Sequence, residues 1–441
     1  MVWDIRSLRT VENDDWSTLA APLLGVKFVR DVLNTALGVG DSGGLMSVLF
    51  FLPWVTARDE LRVGTMRLIP YVRGSAPGEL HGVTQETLDR ILGNYGDQAF
   101  FPEDRTISHL SFSTILTWDD DVIGLEVTES QIHSRLVYAN YLVFAALSER
   151  RVCSHSGYCN SDGYKAIAQR FDLARPGDTA YNTRRRDGHG THFVAAAGFP
   201  RFVRPQHVDA RLQAIFSPAV VEALVALPAG ELKQRIDLAI ESFLRANTDS
   251  ASMTAQSEMV LMRVAFETIL DSTHQVGDLR QKLHEHFIQD LPTEVQWGRG
   301  SNSEAVWRNR WPSHVTRPID AWIQDFCAAR NEVAHGPRGA AASTVWHRHN
   351  HLLFSSWLFP LIVKKMLSTE GLYELTEEDM AARHRFEAFF AHDLLAYSDE
   401  SESKLWWNVV ESDILMPVYA RRIFNNLGDV PGVDDEGRQT S

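Results

Sequence analysis

Arg330, Asn331 and His335 are the residues whose types and spacing are best suited to chemistry. They lie at the end of a helical pattern predicted over residues 317–335, and Gly336 follows directly. The apolar stripe of this pattern runs through Ile319, Trp322, Ile323 and Phe326. Arg330 takes the next position on the stripe, where another core side chain is expected. Because a buried, unpaired guanidinium loses several kcal/mol of hydration, Arg330 needs a partner or an interface.

These three residues have the chemistry needed to cleave a phosphodiester. Arg330 and His335 are five positions apart, which separates them by about 140° around a helix and about 7.5 Å along it. Either the long arginine side chain or a second copy of the helix, related by a twofold axis, could bring both groups to one ligand. Asn331 could bond that ligand or fix the histidine ring. The helix dipole raises the pKa of His335, so that its ring can move protons while Arg330 holds the phosphate.

The pattern resembles the HEPN superfamily, whose signature is an arginine and a histidine separated by four to six residues near the end of a helix. Arg330, the four residues NEVA and His335 match its shortest spacing, and Asn331 matches the polar position after the arginine. The stretch MRVAFETILDS at 262–272 is similar to the family's earlier long helix, and FSSWLFPLIVKKML at 354–367 to the helix after the motif. The resemblance covers roughly residues 206–370.

Membership of this family implies an endoribonuclease that needs no metal or other cofactor and acts as a homodimer or higher homo-oligomer. The RNA 2′-OH attacks its own phosphate, leaving a 2′,3′-cyclic phosphate and a 5′-OH. By the same resemblance, His335 transfers protons and Arg330 binds the phosphate. Asn331 is the polar residue that orients these groups. The layout also resembles ApeA-like phage-defence or toxin-type effectors, in which the N-terminal part senses an activating ligand or phage component. The alternative is a non-catalytic HEPN-fold protein that acts as a dimeric binding or regulatory partner.

Arginines and tryptophans alternate just before the motif helix. Single-stranded RNA is bound by arginines that contact phosphates and by aromatic faces that stack on bases. The same pattern would also arise if the tryptophans filled a core and the arginines were solvated. The predicted RNA-binding residues are Arg299, Arg308, Arg310 and Arg317, with Arg348 in WHRHNHLLF as a further candidate.

Two other sites compete in the first 205 residues. The stretch RDGHGTHFVAAAG at 186–198 resembles the histidine motif of subtilisin-like serine proteases, with His189 as the general base. No nucleophile motif follows at a suitable distance, so a turn at Gly188 and Gly190 is the favoured interpretation. The residue types needed for a zinc site are present in Cys153, His155, Cys159, His189 and His192. The gap between the two cysteines is longer than the spacing usual in structural zinc sites.

Composition indicates an ordinary folded protein of two to three domains. The chain has 441 residues, of which 44% are hydrophobic and 23% charged. Its three cysteines argue against a disulfide framework, and the start of the chain has no secretory pattern, so a cytoplasmic location is expected. Of the net charge of −14, the stretch 370–441 contributes −10, from 16 acidic and 6 basic residues. The middle third is nearly neutral, so the acidic total does not exclude a local RNA-binding surface.

The predicted fold class is an α+β N-terminal region followed by an all-α HEPN-like helical bundle. In residues 1–205, three stretches predict strands, residues 128–151 predict a helix capped by Thr128, and the part after Cys153 is expected to be irregular. Residues 206–370 form the predicted nuclease domain, 371–427 further helices, and 428–441 a disordered acidic tail. The helices expected in the nuclease domain cover 207–226, 230–247, 252–273, 275–290, 317–335 and 345–368.

Overall fold

The structure is a computed structural model of the whole chain. It describes the following residues: 46–75, 83–97, 108–119, 127–149, 160–172, 175–185, 188–194, 202–205, 208, 212–248, 250, 253–289, 291, 317–335, 346–387 and 415–428.

The N-terminal region is built on a seven-stranded antiparallel sheet with the order β3-β4-β6-β1-β7-β8-β9. Two short parallel pairs, β10 with β5 and β11 with β2, flank it. The strands are β1 (Met46–Leu52), β2 (Val55–Thr56), β3 (Leu61–Val63), β4 (Met66–Val72), β5 (Tyr95–Gly96), β6 (Phe112–Trp118), β7 (Ile167–Asp172), β8 (Arg175–Arg185), β9 (Gly188–Val194), β10 (Phe202–Val203) and β11 (Leu212–Gln213).

Strand β4 has buried side chains on both faces of the sheet, because its side chains alternate between two cores. Met66 and Leu68 belong to the large core of the molecule, whereas Ile69 and Tyr71 belong to a smaller core on the other face. The smaller core is closed by helix α1 (Gln85–Leu92). Two of the three predicted strands, SVLFFLPWV at 47–55 and ISHLSFSTILTW at 107–118, correspond to β1 and β6. The third, RVGTMRLIPYVRG at 62–74, is wrong as a single strand, because a turn at Gly64 and Thr65 divides it into β3 and β4.

The prediction of an irregular segment after Cys153 is wrong over much of its length. Strands β7, β8 and β9 occupy residues 167–194 and complete one side of the sheet. Gly188 and Gly190 lie within β9, so the predicted turn at these glycines is also wrong. β8 pairs with both β7 and β9, so backbone hydrogen bonds on its two edges hold it in the sheet.

Helix α2 (Glu129–Ser148) confirms the predicted helix and its cap. The Thr128 hydroxyl accepts from the Gln131 backbone N–H, and the Gln131 side chain accepts from the Thr128 backbone N–H. This reciprocal capping box satisfies two N–H groups that the first turn of a helix leaves free. The sequence thus encodes the start of α2 locally.

The C-terminal part of the chain is helical. The prediction of a helix over 207–226 is wrong in its first half, since Leu212–Gln213 pairs with β2 and the helix begins at Pro218. The other predicted helices up to residue 370 are confirmed. The helices are α3 (Pro218–Ala226), α4 (Glu231–Ala246), α5 (Ala255–Leu270), α6 (Val276–Leu283) with a π-helical turn at His284–Ile288, α7 (Pro318–His335), α8 (Arg348–Thr369), α9 (Glu377–His384) and α10 (Met416–Gly428).

One continuous core joins the sheet to the helices. The Phe144 ring of α2 lies 5.8 Å from that of Phe243 in α4 and 6.2 Å from that of Phe359 in α8, measured between centroids. Phe243 and Phe359 are themselves stacked at 4.6 Å. A helix from the N-terminal region is therefore part of the packing of the helical region.

Helix α8 is the one described helix that is long and apolar enough to cross a membrane. However, 67% of its most apolar window is buried inside the protein, and Pro360 lies within it. Burial of this extent is typical of a central core helix. Of the further helices predicted over 371–427, the described parts are α9 and α10. The predicted tail at 428–441 lies beyond the described residues except for Gly428.

Candidate functional site

The motif residues lie on the last turns of α7, which ends at His335 as the sequence predicts. Arg330 is half-buried and Asn331 is exposed. One guanidinium nitrogen of Arg330, Nη1, donates to Asn331 Oδ1 at 3.2 Å. The backbone of His335 is described, while its side chain lies outside the described part of the structure. The geometry therefore establishes an arginine and amide pair one turn before the end of the helix.

Arg330 is only partly satisfied where it lies. Its Nε is buried and has no hydrogen-bond partner among the residues that the structure describes. Cys327 lies one turn before it on the buried face of α7. Burial raises the pKa of the Cys327 thiol to about 12, although the charges of Arg263 and Arg330 act in the opposite direction. A half-buried guanidinium next to an exposed amide is suited to binding an anion at the surface.

A second arginine, Arg263 of α5, packs against the same face of α7. Its side chain is 2% exposed, and its Nε donates to Glu267 Oε1 at 2.8 Å. Its Nη1 donates to Cys327 Sγ. Sequence reasoning missed this contact, although Arg263 interrupts the apolar pattern of α5. Since Glu267 balances its charge, Arg263 acts here mainly as a support for the motif helix.

Asp325 fixes the middle of α7. Its Oδ2 accepts from the backbone N–H of Trp346 at 2.9 Å and lies 3.0 Å from Nε2 of His351 on α8. All three residues are buried. The carboxylate therefore ties α7 to Trp346, two residues before α8, and to His351 in the first turn of α8.

The start of α7 is held by two more carboxylates. Asp320 Oδ1 lies 2.8 Å from Nε2 of His284 in the π-helical turn. Glu387, fully buried, accepts from the backbone N–H of Ile319 at 3.1 Å and pairs with Arg317 Nη2 at 3.3 Å. Burial raises the pKa of Glu387, and the Arg317 charge and the bond from Ile319 oppose that rise.

The predicted RNA-binding arginines fall into three situations. Arg299, Arg308 and Arg310 lie outside the described residues. Arg317 is mostly buried, and its guanidinium pairs with Glu387 at the start of α7. Arg348 is half-buried at the first position of α8. Among the described residues, Arg348 is therefore the better candidate for contacting RNA near the motif.

The alternative sites are mostly outside the described residues. Cys153, His155 and Cys159 fall there entirely. His189 and His192 lie on β9, opposite Arg184 and Tyr181 in the register of the hairpin, and their side chains are outside the described part. Among the residues that the structure describes, no cluster of three or more His, Cys, Asp or Glu side chains could hold a metal ion.

Comparison with known protein families, with curated proteins and with solved structures finds no match to this chain.

Proposed function

We propose that this protein is a metal-independent endoribonuclease of the HEPN type, which acts as a homodimer. The observation that carries the proposal is the pairing of Arg330 with Asn331 near the end of α7, with the Arg330 Nε left without a partner among the described residues. His335 closes the same helix. These are the three residue types of the HEPN signature, in its order and spacing.

The proposed reaction is an intramolecular transesterification of RNA. His335 removes the proton of the 2′-OH, whose oxygen then attacks the adjacent phosphorus atom. The bond from phosphorus to the 5′-oxygen breaks, and this oxygen takes up a proton. The products are a 2′,3′-cyclic phosphate and a 5′-OH. Arg330 stabilises the negative charge that builds up on the phosphate oxygens, and Asn331 holds the guanidinium in position.

The surroundings of the motif support such a role. Catalytic groups need to be held in place by a rigid frame. Helix α7 is fixed by Asp325 in its middle and by Asp320 and Glu387 at its start. Arg330 and Asn331 lie at the point of this fixed helix where the residues change from buried to exposed, since Ala329 is buried and Asn331 is exposed.

A homodimer would complete the site. Arg330 and His335 are about 140° apart around the helix axis, so they diverge on one copy. Two α7 ends facing each other about a twofold axis would place the arginine of one copy near the histidine of the other. We further propose that the enzyme is a regulated antiviral or toxin effector whose N-terminal region responds to an activating ligand or phage component.

The test compares cleavage of total RNA and of tRNA by the wild type, Arg330→Ala and His335→Ala in the presence of a chelator. Loss of a proton-transfer group or a charge-stabilising group should reduce the rate at least about 100-fold. The matched controls are Arg421→Ala and His384→Ala, because both residues are exposed and lie on other helices. The 5′ fragments should end in a 2′,3′-cyclic phosphate.

Cleavage that the chelator abolishes, or that both motif variants retain, would contradict the proposal. A wild type that cuts no RNA, even with infected-cell extract as a trigger, would favour the non-catalytic dimeric binding protein. The molar mass in solution tests the dimer separately.

A further inference from the structure

The segment where α8 begins carries basic and aromatic side chains at the surface. This entry segment covers residues 347–349, directly before and in the first turn of α8, and reads His-Arg-His. His347 and His349 are exposed, and Arg348 is half-buried. The first turn of α8 contains no acidic residue. The entry segment therefore places a guanidinium and two imidazoles at the surface, with no carboxylate in the same turn.

The two imidazole rings of the entry segment are stacked on each other. Their centroids lie 5.0 Å apart, and their planes are 26° from parallel. Stacking holds both rings in one orientation, so less conformational entropy is lost when a further flat group is added. Unpaired nucleobases bind to proteins by stacking on the faces of Phe, Tyr, Trp and His side chains. The exposed pair of His347 and His349 is therefore a preformed platform for a base.

Arg348 supplies a cation next to the stacked pair. Its guanidinium makes no hydrogen bond or ion pair with any residue that the structure describes. Arg263 and Arg317, by contrast, are each paired with a glutamate. A half-buried guanidinium without a described partner is suited to a phosphate, which it can bind through two parallel hydrogen bonds.

The entry segment is fixed to the motif helix. The carboxylate of Asp325 in α7 accepts from the Trp346 backbone N–H at 2.9 Å and lies 3.0 Å from Nε2 of His351. These two contacts hold the chain on both sides of the entry segment. Asp325 precedes Arg330 by five residues, which is about 7.5 Å along a helix. An RNA strand with a phosphate at Arg330 can therefore reach the entry segment through a neighbouring nucleotide.

We propose that the entry segment binds one unpaired nucleotide of the RNA substrate beside the cleavage point. The base stacks on the pair of His347 and His349, and the phosphate contacts Arg348. A base inside a duplex is not accessible to such stacking, so the entry segment selects single-stranded RNA at this position. The inference rests on the proposed function for the class of ligand. It assigns the two histidines a role in binding, with no part in proton transfer.

The experiment measures, by fluorescence anisotropy, the binding of the full chain to a labelled single-stranded RNA of mixed sequence. Every 2′-OH of this strand is methylated, so that the proposed reaction cannot cleave it. The comparison ligands are the same RNA in a duplex and the same backbone without bases. The wild type should bind the single strand at least about tenfold more tightly than either of them, because only the single strand offers accessible bases.

The variants test the two parts of the entry segment separately. His347→Ala should weaken binding of the single strand at least about fivefold, because one stacked base is lost, and should not change binding of the strand without bases. His347→Tyr keeps a flat ring, so its affinity should stay within about twofold of the wild type. Arg348→Ala should lower the slope of log affinity against log salt concentration by about 0.7, the value for one phosphate contact on a single strand. The matched controls His384→Ala and Arg421→Ala, exposed on other helices, should bind as the wild type does.

The outcomes distinguish this proposal from the nuclease assignment. If the wild type cuts no RNA but binds the single strand in a way that depends on His347, the nuclease assignment fails and the binding role of the entry segment stands. If the wild type cuts RNA but folded His347→Ala binds the single strand as tightly as His347→Tyr does, the reverse holds. The proposal is also overturned if the wild type does not bind the single strand, or binds the duplex equally tightly.

Discussion

The two ends of helix α7 treat their polar groups differently. From Pro318 to Ala329 all residues except Gln324 and Ala328 are buried, and each carboxylate there has a partner on another element. Arg330 is half-buried, with a buried Nε that has no partner in the described part of the chain, and Asn331 is exposed. The carboxylates of the first end are paired, as buried charges in folded proteins normally are, whereas the guanidinium of the second end keeps a buried donor without a described partner.

We propose that this difference separates stability from function along a single helix. A polar group that is buried and paired is costly to remove, because its partner is left unsatisfied. A polar group that is buried and unpaired already reduces stability, so it persists where function requires it. We therefore expect substitution of the paired carboxylates at the first end of α7 to destabilise the protein strongly, and substitution of Arg330 at the second end to leave its stability nearly unchanged.

The largest effect is expected for Asp325→Ala. The change leaves the Trp346 backbone N–H and the His351 imidazole without their acceptor in a buried position. Loss of one member of such a group costs about 3 to 5 kcal/mol of unfolding free energy. Urea unfolding followed by circular dichroism measures this loss, and Gln324→Ala, one residue earlier and half-buried, should cost less than about 1 kcal/mol. Similar values for the two variants would contradict the assignment of Asp325 as an anchor.

A smaller effect is expected in the pH dependence of Glu387. Burial raises the pKa of Glu387 in the folded state above its usual value of 4.5. The folded protein thus holds this proton more tightly than the unfolded chain does. The contribution of Glu387 to stability is therefore greatest below pH 4.5 and declines as the pH rises through the folded pKa.

Glu387→Gln should remove this decline, because an amide keeps an acceptor for the Ile319 N–H but does not titrate. The measurement is the unfolding free energy of both proteins between pH 4 and pH 7. Relative to the wild type, the variant should gain stability as the pH rises. A constant difference across this range would show that Glu387 has the same pKa in both states.

The smallest effect is expected for Arg330→Met. Methionine keeps most of the apolar stem and removes the donor that lacks a partner, so the unfolding free energy should stay within about 0.5 kcal/mol of the wild type. Arg263→Met is the matched comparison. This change removes the buried guanidinium and leaves Glu267 without its partner, so it should lower the unfolding free energy by about 2 to 3 kcal/mol. A large loss of stability in Arg330→Met would erase the distinction between the two ends of the helix.

The sequence predicts the elements whose signals are local. Helix α2 has its cap at Thr128 and an apolar pattern directly after it, and α7 has a clear apolar stripe up to the motif. Strand β4 alternates between two cores and reads as a strand without any other information. The placement of Arg330, Asn331 and His335 on one helix end follows from the same local pattern.

Elements that depend on distant partners could not be predicted in this way. Strand β8 reads RPGDTAYNTRR, which has no apolar alternation and contains Pro and Gly, and its conformation comes from pairing on both edges. The predicted helix start at 207 was wrong for a related reason. Leu212 and Gln213 pair with β2, which lies more than 150 residues earlier in the chain.

The supports of the candidate site were missed for the same physical reason. Arg263 reaches Cys327 across 64 residues of sequence, and His351 reaches Asp325 across 26. Nothing in the spacing of these residues connects them before the helices are packed. Arg317 is the opposite case. Its neighbours in the sequence predicted a contact with RNA, whereas in the structure it pairs with Glu387, 70 residues away.

The contact of Phe144 with Phe243 and Phe359 limits how this chain can be divided or recombined. A fragment that begins after residue 205 would expose two aromatic rings where α2 had covered them, so it should aggregate more readily than the intact chain. A graft of the first 205 residues onto another helical bundle would need rings of matching size and position to receive Phe144. Engineering of chimaeras should therefore keep α2 together with α4 and α8.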